Sequence, residues 1–198
     1  MNKKIFEVLS KDPILKKILK KEVEFEFKVT KDLYAAVVGN ISGQQLSSKP
    51  AEIIEERFRK LFPAKTFPKP GDVLKISDEK LRNCGMSWSK VKYIKNLSQA
   101  VVDGTLDIKD LKNLSDEKII ENLIKIKGIG RWTAEMILIF HLGREDVFSV
   151  GDLGLRTAVA KLYNIDRNDL KKVEQIAQNW KPFRSYASRF LWEYKDQK

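Results

Sequence analysis

The sequence predicts an all-α protein, and three observations carry that reading. Apolar residues recur at helical spacing along nearly the whole chain. Helix-start signals at Asp12-Pro13, Thr30, Ser77 and Ser115 alternate with stop signals at Gly85, Gly104 and Gly143. One segment alone, Val23–Val29, alternates with a strict period of two, and no second segment offers it a partner. It is expected as an extended connector or a minor edge strand.

The elements follow in order. After Asp12-Pro13, an N-cap with a first-turn proline, Ile14, Leu15, Ile18 and Leu19 form one helical face. Thr30 caps a helix bearing Leu33, Tyr34, Val37, Val38 and Ile41. The polar break Ser42-Gly43-Gln44-Gln45 precedes a helix with Ile53, Ile54, Phe58 and Leu61, and Phe67–Gly71 reads as a loop. Ser77 opens a short helix through Leu81 and Cys84. Val91, Ile94, Leu97, Val101 and Val102 mark a longer one that stops near Gly104. Ser115 caps a helix with Ile119, Ile120, Leu123 and Ile124, which a tight Gly128-Ile129-Gly130 turn joins to one with Trp132, Met136, Ile137 and Phe140. Past a loop to Asp152 come helices with Leu155, Val159 and Leu162, then with Val173, Ile176 and Ala177. The last opens at Pro182 and carries Tyr186, Phe190, Leu191 and Tyr194.

Composition narrows the function. A chain of 198 residues suffices for one domain or two small subdomains. Lys+Arg 38 against Asp+Glu 27 leaves a net charge of +11, which invites a polyanion such as nucleic acid. A lysine-rich surface with no partner is the alternative. The lone cysteine, Cys84, excludes a disulfide scaffold, a cysteine-rich zinc site and a cysteine-held iron–sulfur cluster, and reads as a small buried hydrophobe. The lone histidine, His141, excludes mechanisms that need two imidazoles and is expected at a helix C-terminus, favoured by the dipole. Glu7, Ser10 and Lys11 break the N-terminal apolar run, so no signal peptide is expected. No stretch approaches the ~18 apolar residues of a membrane span. A cytoplasmic, reduced, soluble protein is expected, nucleoid-associated if prokaryotic.

The most informative segment is Leu123–Glu135. Two amphipathic helices joined by Gly128-Ile129-Gly130 make a helix-hairpin-helix. Glycines let the turn and the first N–H groups of the second helix approach a phosphate, aided by the positive helix end. Ile129 can anchor the hairpin to the core, and Lys125, Lys127 and Arg131 add charge around the turn. A plain helix–helix corner with a C-cap glycine is the competing reading. Asp152 lies 22 residues beyond Gly130, after the chain break at Gly151 and just before Leu153-Gly154-Leu155. Its carboxylate either faces a cleft or simply caps the helix.

Five motifs in matching order, from about Tyr34 to Tyr194, make the chain resemble the helix-hairpin-helix DNA glycosylase superfamily, most of all its 3-methyladenine DNA glycosylase II (AlkA-like) branch. They are Ile41–Ser47, Cys84-Gly85-Met86, Lys127–Met136, Asp146–Leu155 and Trp180–Ala187. The resemblance implies two helical subdomains, roughly 31–143 and 1–30 plus 150–198, with the active site in the cleft between them. No extra N-terminal β-domain is expected. It implies that Asp152 is the catalytic aspartate, although the proline usual shortly before it is replaced by Val150-Gly151. Relatives that also cut the backbone carry a lysine nucleophile where Trp132 stands, so a monofunctional hydrolase follows.

Trp132 and Trp192 match pocket tryptophans, and Tyr34 is a further candidate against the flipped base. Gln44, Gln45 and Leu46 match the loop whose residue fills the gap left by that base, Gln45 at the inserting position, with Gln45 and Leu46 not separable from sequence. A monovalent cation, Na+ or K+, is implied on the carbonyls of Ile124, Ile126 and Ile129; no cofactor is required. The implied activity excises alkylated purines from duplex DNA in base excision repair, by a monomer. A noncatalytic helix-hairpin-helix DNA-binding protein and a glycosylase for deaminated or oxidised bases are the rivals.

Overall fold

The computed structural model describes residues 2–21, 25, 27, 29–63 and 66–196. Among them the regular structure is helical, without strands. The α-helices are α1 (Lys3–Leu9), α2 (Leu33–Gly43), α3 (Ser48–Lys60), α4 (Pro70–Lys75), α5 (Asp78–Asn83), α6 (Trp88–Val102), α7 (Asp116–Ile124), α8 (Arg131–Phe140), α9 (Leu153–Tyr163), α10 (Leu170–Gln178) and α11 (Arg184–Asp196). Short 3-10 turns span Leu15–Ile18 and Leu111–Asn113. The chain divides into two compact units, Met1–Val29 with Leu138–Lys198, and Thr30–Ile137. No helix among the described residues is long and apolar enough to cross a membrane.

In the Thr30–Ile137 unit, α6 is the central strut. Val91, Ile94 and Leu97 on its inner face are fully buried, and α2, α4 and α5 pack against it. α6 also serves the ends of its neighbours. The Lys95 ammonium donates to the carbonyls of Leu74 (2.9 Å) and Ile76 at the end of α4, and Lys90 does the same at the end of α2. Two sequence expectations shift here. The cap of α2 is Asp32, whose Oδ1 accepts from the Ala35 N–H (2.9 Å), because its short carboxylate reaches the first turn. Pro70 does not lie in a loop but opens α4, where a fixed φ and a missing N–H cost nothing. Cys84 is buried, as expected.

The other unit closes around Leu9, Leu15, Leu155, Val159, Val173, Ala177, Trp180 and Leu191. Within the alternating segment, Phe25 and Phe27 are not in a strand. Both point the same way, set edge-on to Phe190 (4.9 Å) and Tyr186 (4.7 Å) of α11. Val23 lies outside the described residues. α11 starts at Arg184 rather than Pro182, with Lys181–Pro182 a cis peptide. His141 does follow the last turn of α8, but burial pushes its imidazole below the ordinary value and so opposes the dipole's preference for the charged form.

Asp12 does more than the expected capping, and no α-helix follows it, only the Leu15–Ile18 3-10 turn. Its Oδ1 accepts from the Ile14 and Leu15 N–H groups (3.0 Å each), while Oδ2 accepts from the Tyr163 hydroxyl and the Trp180 indole N–H (3.1 Å). The two backbone donors are those an N-cap serves, and the turn they open is a 3-10 turn. Burial alone would raise this carboxyl, but the four donors outweigh it and hold it below the usual value.

Replacing Asp12 with alanine strands the N–H of fully buried Trp180 and should cost about 1–3 kcal/mol of stability. Because the folded carboxyl titrates below the ordinary 3.8, that advantage is present above that pH and fades as pH falls through the folded value. Urea melts of both proteins from neutral to strongly acid pH should show the difference shrinking.

Candidate functional site

Asp152 is held at the mouth of α9 in an extended conformation, φ −73° and ψ 116°. Its Oδ1 accepts two hydrogen bonds, one from the Leu155 N–H (2.7 Å) and one from the Trp192 indole N–H (3.0 Å). The helix cap anticipated as an alternative is therefore real. The indole bond is an addition that capping does not require. Trp192 is itself fixed by stacking on Phe140, with ring centres 5.6 Å apart and 29° between planes. Gly154 makes the arrangement possible: a Cβ there would stand 3.0 Å from Asp152 Oδ1 and 3.4 Å from the indole Cδ1.

Side chains from the start of α11 shape the loop leading to Asp152. The Arg184 guanidinium grips the Asp146 carboxylate through Nε (2.7 Å) and Nη2 (3.1 Å) and also donates to the Asp146 carbonyl (2.8 Å). Ser185 Oγ donates to the Arg144 carbonyl (2.6 Å) and accepts from the Val147 N–H (3.0 Å). The Ser185 N–H donates to the Glu145 carbonyl, and the Tyr186 hydroxyl to the Glu145 carboxylate (2.9 Å each). Burial, and then Glu145, push the Tyr186 phenol up to about 12. The fourth and fifth motifs thus form one hydrogen-bonded body that delivers Asp152.

In the other unit, α7 and α8 form the hairpin. Ile129 is buried and pins the turn. The two glycines serve different ends. Gly128 has φ +107°, and a Cβ would fall 2.0 Å from the Tyr93 ring, so it is demanded from inside by the packing of α6. Gly130 has no atom within 4 Å of its would-be Cβ and leaves the start of α8 open to solvent. Lys125 and Lys127 are exposed. Arg131, expected at a phosphate, is instead engaged by two carboxylates, bidentate to Glu117 (2.9 and 3.1 Å) and through Nε to buried Glu135 (3.0 Å). The nearby glutamates raise its pKa, Glu117 most. The ion pairs tie α7 to α8.

Trp132, on the first turn of α8, is 44% exposed and so lies outside the core. Ile124, placed on the core face by its spacing, is exposed. Tyr34 is a correction. It is 5% exposed, its hydroxyl is paired with Ser98 Oγ (2.6 Å), and burial pushes its phenol up to about 12. It is a core residue of its unit.

The Gly43–Leu46 segment is a turn closed by the Leu46 N–H donating to the Gly43 carbonyl (3.1 Å). Gln44 at φ −49° and ψ 132° followed by Gln45 at φ +60° matches a type II turn, in which the third position ordinarily belongs to glycine. The Gln44 side chain turns inward, its amide donating to the Gly128 carbonyl (3.3 Å) and Thr133 Oγ1 (3.4 Å). Gln45 and Leu46 are exposed. Sequence reasoning missed Gly154, Phe140, Tyr93 and Lys90 as supports. For Gly154 the signal was present, a glycine two residues past a capping aspartate. The others rest on contacts between distant helices.

α7, the Gly128–Gly130 turn and α8 make a helix-hairpin-helix, and the helix after the next loop is capped by an aspartate. Residues 38–183 match the HhH-GPD superfamily base excision DNA repair proteins, and the chain belongs to that family. It is 36% identical over 165 residues to "DNA-3-methyladenine glycosylase 1" of Schizosaccharomyces pombe, covering 82% of this chain and 72% of that one. A 3-methyladenine DNA glycosylase of the same yeast, solved in complex with abasic DNA, superposes with a TM-score of 0.83 at 32% identity, over 96% of this chain and 95% of that one. A DNA-3-methyladenine glycosidase from Bacillus halodurans gives 0.85 at 34% identity, over 99% and 90%. Among the described residues no group of three or more His, Cys, Asp and Glu side chains gathers as a metal site.

The two hairpin glycines should separate in thermal melts. Gly128→Ala must move the Tyr93 ring and hold alanine at positive φ, so its melting temperature should fall by several degrees, the scale of about 1–3 kcal/mol. Gly130→Ala should melt with the parent protein.

Proposed function

We propose that the protein is a monofunctional DNA N-glycosylase that excises alkylated purines, of the 3-methyladenine type, from duplex DNA and leaves an abasic site. The observation that carries this is Asp152: a carboxylate oriented by an indole N–H beyond what capping needs. Trp132, where a Schiff-base lysine would stand, supports simple hydrolysis.

The chemistry asks little of the protein. Alkylation at a ring nitrogen makes the purine cationic, and breaking the N-glycosidic bond returns the electron pair that neutralises it. No strong general acid is needed. Positive charge builds on the sugar as oxocarbenium character, where a fixed anion stabilises it. Water then adds at the anomeric carbon, and Asp152 is placed in the reading to accept its proton. The exposed indole of Trp132, and the face of Trp192, are assigned to stack on the cationic base, worth roughly 0.5–2 kcal/mol.

Phosphate contacts are assigned to the hairpin N–H groups with Gly128 and Gly130, and to Lys125 and Lys127, with Arg131 bracing the two helices. Gln45 is assigned to fill the space of the flipped base, since Gln44 is tied inward. The Ile126 carbonyl accepts one bond, from the Ile129 N–H (3.0 Å), and keeps a second lone pair. With the carbonyls of Ile124 and Ile129 it is assigned to a monovalent Na+ or K+ at the turn. The substrate is damaged duplex DNA, bound by a monomer in the cytoplasm.

Asp152→Asn tests the central assignment. Asparagine Oδ1 can still accept from Leu155 and Trp192, so the melting temperature should barely move. Single-turnover excision from a 3-methyladenine or 7-methylguanine duplex should fall by roughly 10²–10⁴-fold, the scale of losing a positioned acid–base group. Full activity in this variant would leave Asp152 as a cap only, whereas a wild type that excises neither base would favour a noncatalytic DNA-binding protein. In the wild type, strand breaks should appear only after alkali, with nothing trapped by borohydride.

A further inference from the structure

Lys90 lies outside the residues assigned above, yet its side chain runs beneath the Gly43–Leu46 turn. Its ammonium donates to the Ser42 carbonyl (2.9 Å) and the Gln44 carbonyl (2.7 Å). Two groups that would otherwise be unpartnered at the end of α2 are thereby satisfied by a cation, the charge a helix C-terminus favours. Lys90 is rooted in the first turn of α6, where its own N–H donates to the Ser87 cap (3.2 Å).

The turn above it is under strain. Gln45 adopts φ +60°, a conformation that costs a residue with a Cβ about 1 kcal/mol or more and that glycine adopts freely. A polar, exposed glutamine has no packing reason to stand there. Relaxing the turn would turn its side chain away. Gln44 braces the turn from one side through Gly128 and Thr133 at 3.3 and 3.4 Å, long bonds that are weak alone. Lys90 braces it from beneath with two short, charge-assisted ones.

We infer that Lys90 is a positioning residue for the base-extrusion step: its ammonium locks the Gly43–Leu46 turn in the strained form that projects Gln45 outward. This rests on the glycosylase reading, with Gln45 filling the vacated space. The lock also joins the turn to the phosphate-binding hairpin, because the backbone that Lys90 holds carries the Gln44 side chain that reaches Gly128. Burial lowers the Lys90 pKa from its ordinary value.

The test compares the same methylated purine paired in a regular duplex and displayed in a single-nucleotide bulge, where less extrusion is needed. Lys90→Met should slow single-turnover excision from the regular duplex by roughly 10- to 100-fold, the scale of misplacing a positioned group, and from the bulge by much less. Lys90→Arg should restore most of the loss. Gln45→Gly should show the same substrate pattern while melting no lower than the wild type, and the double variant should be no slower than either single one. Equal losses on both substrates, or no loss on the regular duplex, would overturn the inference. Amide exchange at Leu46 gives a readout independent of activity: its N–H should exchange faster in Lys90→Met than in the wild type, against unchanged amides in α6. Unchanged protection would overturn the lock even if excision fell. A wild type that excises neither lesion would overturn the glycosylase reading instead, and the exchange result would still decide the lock. Lys90→Gln serves the same comparisons should Lys90→Met not fold.

Discussion

Each end of an α-helix leaves backbone groups without partners, and a protein made of short helices and loops has many such ends to satisfy. Here several of these ends are closed or braced by side chains from elsewhere in the sequence. Asp152 closes the start of α9 and is itself held by Trp192, 40 residues on. Lys90 and Lys95 of α6 close the ends of α2 and α4. Arg184 and Ser185 satisfy the loop before α9. An unpaired buried donor or acceptor costs about 1–3 kcal/mol, so each of these side chains fixes the backbone it serves as firmly as a core contact would.

This arrangement explains why the functional segments are short runs separated by ordinary helix. The Asp146–Leu155 segment has little regular structure of its own before α9 begins. Its shape is imposed by Arg184, Ser185 and Tyr186. The hairpin follows the same logic. Gly128 is small because Tyr93 occupies the space a side chain would need, and Arg131 spends its charge holding α7 to α8 through Glu117 and Glu135. Charge around the hairpin turn is thus divided between bracing residues and exposed lysines, a division that only their partners reveal.

The order of helices, the hairpin and the position of Asp152 were legible in the chain. A 3.6-residue apolar period and glycine stops act within a few residues of one another, and they translate directly into α6, α7, α8 and α9. Local signals failed where a distant group took over. Asp12 announced a helix, but Tyr163 and Trp180 turned its carboxylate into an anchor. Pro182 announced a helix start that falls instead at Arg184, whose N–H lies against Asp146.

By itself, then, the sequence determined the all-helical class and the hairpin, because these depend on residue type and spacing; the weight placed on Asp152 and Trp132 came from the resemblance of the motifs. Tertiary structure decided which side chains are available for function. It sent Tyr34 to Ser98, Gln44 to the hairpin and Arg131 to Glu117, and it left Gln45, Trp132, Lys125 and Lys127 at the surface. The physical reason is that a polar or aromatic side chain takes its role from the partner it meets, and those partners lie from 14 to 84 residues away, beyond the reach of any local pattern.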